Sequence, residues 1–159
     1  MKKNKTGELS KEGFDFNQGI PGKYSILKVF HHPEKMVSLL EGIVSAPIAI
    51  RIKPTNRCNH NCFYCVYESS FSSIHPTMNR TDELSREKVM EVLGDLKDMG
   101  VKAVTYSGGG EPLCHPNITE AFRKTLDYGI GLSIITNGLM LSGERAELLA
   151  NADWVRVSI

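Results

Sequence analysis

The spacing of hydrophobic and polar residues along the chain changes at Pro47. Ile48, Ile50 and Ile52 alternate with small or charged residues, and this period of two predicts a strand that ends at Pro54. Three more short, mostly apolar runs follow, and the segments between them repeat apolar residues at the helical spacing of three and four. The further predicted strands cover residues 101–106, 132–135 and 154–159.

Each of the three segments between these strands begins with a helix start signal. Ser85 and Ser142 are predicted N-caps, and Asn117 with Glu120 three residues later resembles a capping box. Two glycines, Gly100 and Gly129, are predicted to end the first and second of these helices and are called the glycine stops below. The apolar faces expected to point inward are Val89, Val92, Leu93, Leu96 and Met99, then Ala121, Phe122, Thr125 and Leu126, then Ala146, Leu148 and Leu149.

Strands that alternate with helices predict an α/β fold, a parallel sheet with helical crossovers. In such sheets, functional groups collect where the strands reach their C-terminal ends. The cysteine segment 58–65, the glycine turn 107–112, Thr136, Asn137 and Ser158 all follow such ends. One rim of the sheet is therefore the predicted site.

Residues 1–46 have a different pattern. Residues 1–23 are polar with scattered apolar side chains, which predicts a flexible leader, and residues 24–30 fit either a short strand or a helix. Pro33 opens a brief amphipathic run that ends at Gly42, which predicts a short helix. The expected organisation is an N-terminal extension over 1–46 and a main domain over 47–159.

Composition and charge narrow the classes of function. The chain has 159 residues, 41% of them hydrophobic, enough for one globular domain with its own core. Its 19 basic and 18 acidic residues leave a formal charge of +1, which points to neither nucleic acid nor a membrane surface as partner. No apolar run follows the basic start, and no stretch approaches the roughly 20 apolar residues of a membrane span. We expect a cytoplasmic protein.

The segment 58–65, Cys-Asn-His-Asn-Cys-Phe-Tyr-Cys, holds three of the four cysteines in the spacing C-x3-C-x2-C. Without an export signal, this clustering favours metal over disulfides. Three thiolates on one short loop match three corners of a cubane [4Fe–4S] cluster and leave the fourth iron open. The alternative is a structural zinc site with His60 or His75 as the fourth ligand. Cys114 stands alone and is interpreted as a partly buried thiol.

The cysteine spacing, with Tyr64 directly before the third cysteine, resembles the signature of the radical S-adenosylmethionine (radical SAM) enzymes. Residues 107–112, Ser-Gly-Gly-Gly-Glu-Pro, resemble the GGE segment of that family. Residues 135–138 resemble the end of its third strand and residues 154–159 its fourth strand. The resemblance begins at about Pro47 and suggests the N-terminal part of the family's core domain.

The resemblance implies that Cys58, Cys62 and Cys65 bind a [4Fe–4S] cluster whose open iron chelates S-adenosylmethionine. Reductive cleavage of that molecule would then release a 5′-deoxyadenosyl radical, which abstracts hydrogen from a substrate. No catalytic residue beyond the cofactor ligands is expected. The implied partners are a substrate, either a peptide, a sugar or a cofactor precursor, and an electron donor such as flavodoxin or ferredoxin.

The resemblance also implies which residues contact S-adenosylmethionine. Tyr64 would pack near the adenine or cover the cluster from solvent, and the glycine turn would approach the amino group of the methionine moiety. Glycines there are expected to allow a positive φ and close backbone approach, and Glu111 would either bind the ligand or brace the turn. The candidate residues are Tyr64, Gly108, Gly109, Gly110, Glu111, Thr136, Asn137 and Ser158.

The family fold is a partial (β/α)6 TIM-like barrel, of which this chain supplies about four βα units. We therefore expect a core domain truncated after its fourth strand. Some members of the family continue into a cysteine-rich domain with auxiliary clusters. Two alternatives to an enzyme are a zinc-stabilised Cys3His binding module and a truncated, inactive fragment that still binds a cluster.

Overall fold

The computed structural model describes residues 31–67 and 78–158. The expectations for residues 1–30, for His75 and for Ile159 lie outside these ranges. The chain divides into two compact units, with the boundary between Ser45 and Ala46. None of the helices in the described ranges has the length and apolar content needed to cross a membrane.

The first unit contains helix α1, Pro33–Leu40. Proline is tolerated in the first turn because the N–H that it lacks would have no partner there. The chain leaves the helix through Gly42 at φ +68°, a left-handed conformation that costs glycine little because it has no Cβ. The predicted helix and its stop are confirmed. No residue of α1 is buried.

The second unit is built on a four-stranded parallel sheet in the order β1-β2-β3-β4. The strands are β1 (Ala49–Ile52), β2 (Ala103–Tyr106), β3 (Gly131–Thr136) and β4 (Trp154–Val157). Ile52 pairs with Tyr106, and Tyr106 with Ile134, so one face of the sheet carries large apolar side chains from strand to strand. The predicted parallel α/β sheet is confirmed.

Three helices connect the strands: α2 (Arg86–Asp98), α3 (Ile118–Asp127) and α4 (Glu144–Leu149). The predicted cap of α2 is confirmed, because the Ser85 hydroxyl oxygen accepts the Lys88 N–H at 3.2 Å. Both predicted glycine stops adopt a positive φ, Gly100 at +71° and Gly129 at +66°.

The predicted hydrogen bonds of the α3 capping box and the predicted cap of α4 are wrong. Asn117 is the N-cap residue of α3, but its side chain makes no cap hydrogen bond, and its backbone N–H donates to His115 Nδ1 at 3.3 Å. Glu120, the other half of the predicted capping box, pairs with the Arg86 guanidinium of α2 (Nε–Oε2 2.8 Å). A charged partner on the neighbouring helix offers a stronger hydrogen bond than a local N–H. At α4, Gly143 with φ +55° is the N-cap, and Ser142 is exposed.

The helices cover the apolar face of the sheet. The buried helical residues are Val89, Leu93, Leu96, Ile118, Ala121, Phe122, Thr125 and Leu149. Phe122 meets Tyr106 edge to face, with 5.1 Å between the ring centroids. The inward orientation predicted for Met99 is wrong, because Met99 follows the last residue of α2 and is 48% exposed. On the opposite face of the sheet, Arg51 and Arg156 are exposed.

A hydrogen-bonded group lies inside this apolar layer. The Tyr106 and Thr125 hydroxyl oxygens are 2.7 Å apart, and Thr125 also donates to the Ala121 carbonyl at 2.7 Å. Among the described residues, the Tyr106 hydroxyl has one further hydrogen-bond partner, the same Ala121 carbonyl at 3.4 Å. Burial raises the pKa of the Tyr106 phenol, which therefore stays protonated and can donate.

This hydrogen-bonded group predicts that substitutions of Tyr106 and Thr125 have non-additive effects on the free energy of unfolding. Thr125→Val keeps the side-chain shape but deprives a buried phenol of its partner, which should cost about 1–3 kcal/mol of unfolding free energy. Tyr106→Phe should cost about 1 kcal/mol. The double variant should cost clearly less than the sum, because both polar partners are then gone. Urea unfolding of the four proteins measures these costs, and strictly additive costs would contradict the coupling.

Candidate functional site

The C-terminal ends of the strands surround an open cavity of about 470 Å³. That volume lies within the range of pockets that bind small molecules and cofactors, about 300–1,000 Å³. The residues that line it are Cys58, His60, Cys62, Tyr64, Cys65, Glu111, Ile135, Thr136, Asn137 and Ser158. Segments that are far apart in sequence therefore meet at one rim of the sheet, as the strand pattern predicts.

The cysteine loop begins immediately after β1. Buried Thr55 anchors its start: the hydroxyl oxygen accepts the Arg57 N–H at 3.1 Å, and the carbonyl accepts the Gly110 N–H at 3.1 Å. Further along, the Cys65 N–H donates to the Cys62 carbonyl at 3.0 Å. The bond between the Gly110 N–H and the Thr55 carbonyl ties the loop to the glycine turn, whereas the other two bonds are local.

All four cysteines are free thiols. Cys58, Cys62 and Cys65 are partly exposed at the same cavity. Within residues 31–67 and 78–158, no three His, Cys, Asp or Glu side chains are already gathered at metal-binding geometry. The thiols therefore share a cavity without forming a closed coordination site.

The electrostatics around Cys58 suit a positively charged ligand. Burial raises the pKa of this thiol, and the nearby Glu111 carboxylate and the other two thiols raise it further. The His60 N–H opposes that rise, because it donates to Cys58 Sγ at an N–S distance of 3.4 Å. A bound cation would offset the negative groups and favour the thiolate, with release of the proton. Three thiols beside one carboxylate thus fit a group that binds thiolates, such as an iron–sulfur cluster.

Close packing explains the three consecutive glycines of the turn. A Cβ on Gly110 would lie 2.1 Å from the Arg57 carbonyl oxygen, and one on Gly109 would lie 2.2 Å from Asn56 Oδ1. A Cβ on Gly108 would meet the Gly110 carbonyl oxygen at 1.4 Å. None of the three has a positive φ, so that part of the expectation is wrong. Gly109 and Gly110 pack against the residues before the cysteine loop, Gly108 packs within the turn itself, and all three are absent from the described lining of the cavity.

Glu111 is 3% exposed and bonds to the surrounding chain through both carboxylate oxygens. Oε1 accepts the Leu113 N–H at 3.0 Å and the Thr136 hydroxyl at 2.6 Å. Oε2 accepts the Asn137 N–H at 2.7 Å. Of the two roles open for this residue, these contacts support bracing, because the carboxylate joins the turn after β2 to the end of β3.

Thr136 and Asn137 continue this connection. Thr136 is 2% exposed, and its hydroxyl accepts the Gly138 N–H at 3.0 Å while it donates to Glu111. The Asn137 side chain accepts the Leu139 N–H at 3.0 Å and donates from Nδ2 to Asn59 Oδ1 at 2.8 Å. Both side chains line the cavity, but their polar atoms already have partners within the chain.

Tyr64 and Ser158 are the more available groups at the rim. Tyr64 is 60% exposed, with its ring 5.2 Å from that of Phe63, and a hydrogen bond with Cys62 raises the pKa of its phenol. Ser158 is held through its backbone, whose N–H donates to the Thr136 carbonyl at 2.9 Å. Among the described residues, the Ser158 hydroxyl has no hydrogen-bond partner.

Cys114 and His115 follow Glu111 in a short 3₁₀ turn, Pro112–Cys114. Burial raises the pKa of the Cys114 thiol, and the backbone N–H of Asn59, donated to that thiol, opposes the rise. His115 is buried, accepts at Nδ1 from Asn117, and donates from Nε2 to the Leu84 carbonyl at 2.8 Å. The partial burial of Cys114 agrees with the thiol predicted from the sequence, and the contacts of His115 give it a structural role in this turn.

Three residues of the site are not among the cofactor-binding candidates that the sequence predicts. Two of them, His60 and Ile135, line the cavity, and the sequence suggests His60 only as a possible zinc ligand. Asn59 contacts Asn137 across 78 positions of sequence. Strand alternation could have indicated Ile135, because it shares a sheet face with Arg156, its neighbour in register, and with Ser158. No pattern in the neighbouring sequence indicates that Asn59 contacts Asn137.

Comparisons with known proteins agree with this geometry. The model of the Radical SAM superfamily matches residues 52–159. A probable GTP 3′,8-cyclase of Halobacterium salinarum is 36% identical over 110 residues, which cover 69% of this chain and 30% of that enzyme. A PqqA peptide cyclase of Rhodopseudomonas palustris is 33% identical over 113 residues, 71% of this chain and 28% of that enzyme. The chain thus spans less than a third of the length of these relatives.

Solved structures support the fold. Streptococcus suis SuiB bound to S-adenosylmethionine superposes with a TM-score of 0.58 at 22% identity, over 80% of this chain and 28% of SuiB. BtrN in complex with AdoMet and 2-DOIA gives 0.57 at 22% identity, over 72% of this chain and 46% of BtrN. The sheet is thus TIM-barrel-like. Because the family model covers more than half of the sequence, this chain belongs to the radical SAM superfamily, whose members bind a [4Fe–4S] cluster and S-adenosylmethionine.

Proposed function

We propose that this chain is the N-terminal part of the core domain of a radical SAM enzyme. In this proposal Cys58, Cys62 and Cys65 hold the cluster, and S-adenosylmethionine occupies the cavity beside them. The supporting observation is that all three thiols open on the cavity formed by the ends of β3 and β4. Residues 1–46 would be an extension, and residues 47–159 the part of the core that this chain supplies.

The cofactors would supply the radical chemistry: an electron from the cluster cleaves S-adenosylmethionine, and the resulting 5′-deoxyadenosyl radical takes a hydrogen atom from the substrate. The protein's part is to bind, orient and shield. Cys58, Cys62 and Cys65 offer thiolates, and the exposed ring of Tyr64 offers a flat apolar surface for the adenine.

The contacts of the remaining candidates divide them into two roles. Glu111, Thr136 and Asn137 are bonded to one another and form a fixed wall. Ser158 has a hydroxyl available for a ribose or carboxylate group. The glycine turn serves the site by letting the chain pack against the start of the cysteine loop. Direct polar contact with S-adenosylmethionine is thus assigned first to Ser158.

The substrate is proposed at the level of class. The names of the relatives above indicate GTP and a peptide as their substrates, and for this chain we propose a peptide, a sugar or a cofactor precursor. Exposed Arg51 and Arg156 on the open face of the sheet would favour a substrate with an anionic group. A flavodoxin or ferredoxin in the cytoplasm would supply the electron.

Substitution of each cysteine tests the proposed ligands. After anaerobic reconstitution with iron and sulfide, the unmodified protein should hold about four irons. Cys58→Ala, Cys62→Ala and Cys65→Ala should each lose most of that iron, because a cubane needs all three thiolates. Cys114→Ser is the matched control and should keep the iron, since Cys114 is not among the described residues that line the cavity. Tight zinc binding without a cluster would instead support the zinc-stabilised module.

Ser158→Ala tests the proposed contact with S-adenosylmethionine. Removal of one hydrogen bond should weaken binding to the reconstituted protein about twofold to tenfold, while the iron content stays unchanged. Ser142→Ala, at another exposed serine, should leave both unchanged. Equilibrium dialysis with labelled S-adenosylmethionine measures the affinity, and equal affinity of the Ser158→Ala and unmodified proteins would contradict this assignment.

A further inference from the structure

The two ends of the cysteine loop are supported differently. Cys58 lies between two residues that are bonded to distant parts of the fold. On one side the Arg57 carbonyl accepts the Glu111 N–H at 2.8 Å. On the other side, Asn59 Oδ1 accepts a hydrogen bond from Asn137 Nδ2 at 2.8 Å. Both bonds lead back to Glu111, because the Asn137 N–H donates to its carboxylate.

The segment from Arg57 to Asn59 is therefore attached to the turn after β2 through its backbone and to the end of β3 through one side chain. Glu111, at the centre of these contacts, is buried and cannot move without breaking three hydrogen bonds.

The hydrogen bonds described for Cys62 and Cys65 are local. The Cys65 N–H donates to the Cys62 carbonyl, three residues earlier in the same loop. Within the described part of the chain, no hydrogen bond joins either residue to β3 or to the turn after β2. The first thiol of the loop is thus attached to the sheet, and the other two lie on a turn that can adjust.

We propose that Asn59 is a positioning residue for the cluster site: its side-chain bond to Asn137 holds Cys58 in place before the other two thiols close on the cluster. This inference rests on the proposed function, since it treats Cys58 as a cluster ligand. Groups that orient metal ligands in advance reduce the conformational freedom lost on binding, and their removal weakens metal sites. Asn59 itself lies outside the described lining of the cavity.

Alkylation of the cluster-free protein tests the proposal without any cofactor. Under anaerobic conditions, iodoacetamide labelling followed by peptide mass spectrometry gives a separate rate for each cysteine. Asn59→Ala should raise the rate at Cys58 about twofold to tenfold, the effect expected from one neutral hydrogen bond. The rates at Cys62 and Cys65 should stay within about twofold.

Asn61→Ala is the matched control. Asn61 is an exposed asparagine of the same loop whose side chain has no hydrogen-bond partner among the described residues, so the three rates should not change. In an Asn137→Ala background, Asn59→Ala should have no further effect, because its partner is already absent. An unchanged rate at Cys58, an equal rise at all three cysteines, or a full effect in the Asn137→Ala background would overturn the proposal.

A second measurement separates this proposal from the proposed function. In reconstituted protein, an iron chelator should remove iron faster from the Asn59→Ala variant than from the unmodified protein, again about twofold to tenfold, and at the unmodified rate from Asn61→Ala. Equal rates in all three proteins would contradict a positioning role. If the unmodified protein takes up no cluster, the proposed function fails, whereas the alkylation rates still decide whether Asn59 holds Cys58.

Discussion

The rim of this domain depends on a carboxylate that is buried away from water. A buried carboxylate costs free energy unless hydrogen bonds replace its hydration, and Glu111 obtains them from Leu113, Thr136 and Asn137. Its backbone also holds the residue before Cys58. One residue thus connects three segments: its carboxylate joins the turn after β2 to the end of β3, and its backbone N–H binds the start of the cysteine loop. A parallel sheet alone only brings these segments near one another.

This arrangement separates the groups that build the site from those left to bind a ligand. Thr136 and Asn137 lie at the cavity, but their hydrogen-bonding capacity is directed into the protein. The thiols of the loop, the ring of Tyr64 and the hydroxyl of Ser158 remain accessible. The same division explains the glycine turn, which serves packing, because a Cβ on Gly110 would collide with the backbone before Cys58. A preorganised wall with few accessible groups is what a cofactor site requires.

Much of the fold follows from local patterns, whereas the connections of the site do not. Alternating isoleucines identify β1, and the Ser85 cap and the glycine stops identify helix ends, because each depends on neighbours in sequence. The predicted start of α3 at Asn117 is confirmed, but its capping-box hydrogen bonds are not formed, because Glu120 pairs with Arg86 of the neighbouring helix. The spacing of Cys58, Cys62 and Cys65 predicts a shared ligand, and the structure brings all three to one cavity. The contact between Asn59 and Asn137 could not be predicted, because it joins residues 78 positions apart.

The proposed function requires the cavity to hold a cluster with one iron open to S-adenosylmethionine. Electron paramagnetic resonance of the reconstituted, dithionite-reduced protein, recorded before and after addition of S-adenosylmethionine, tests this requirement. We expect a [4Fe–4S]⁺ signal whose g-values change on addition, because the molecule would coordinate the open iron. A protein that forms no cluster, or a cluster signal that is identical with and without S-adenosylmethionine, would contradict it.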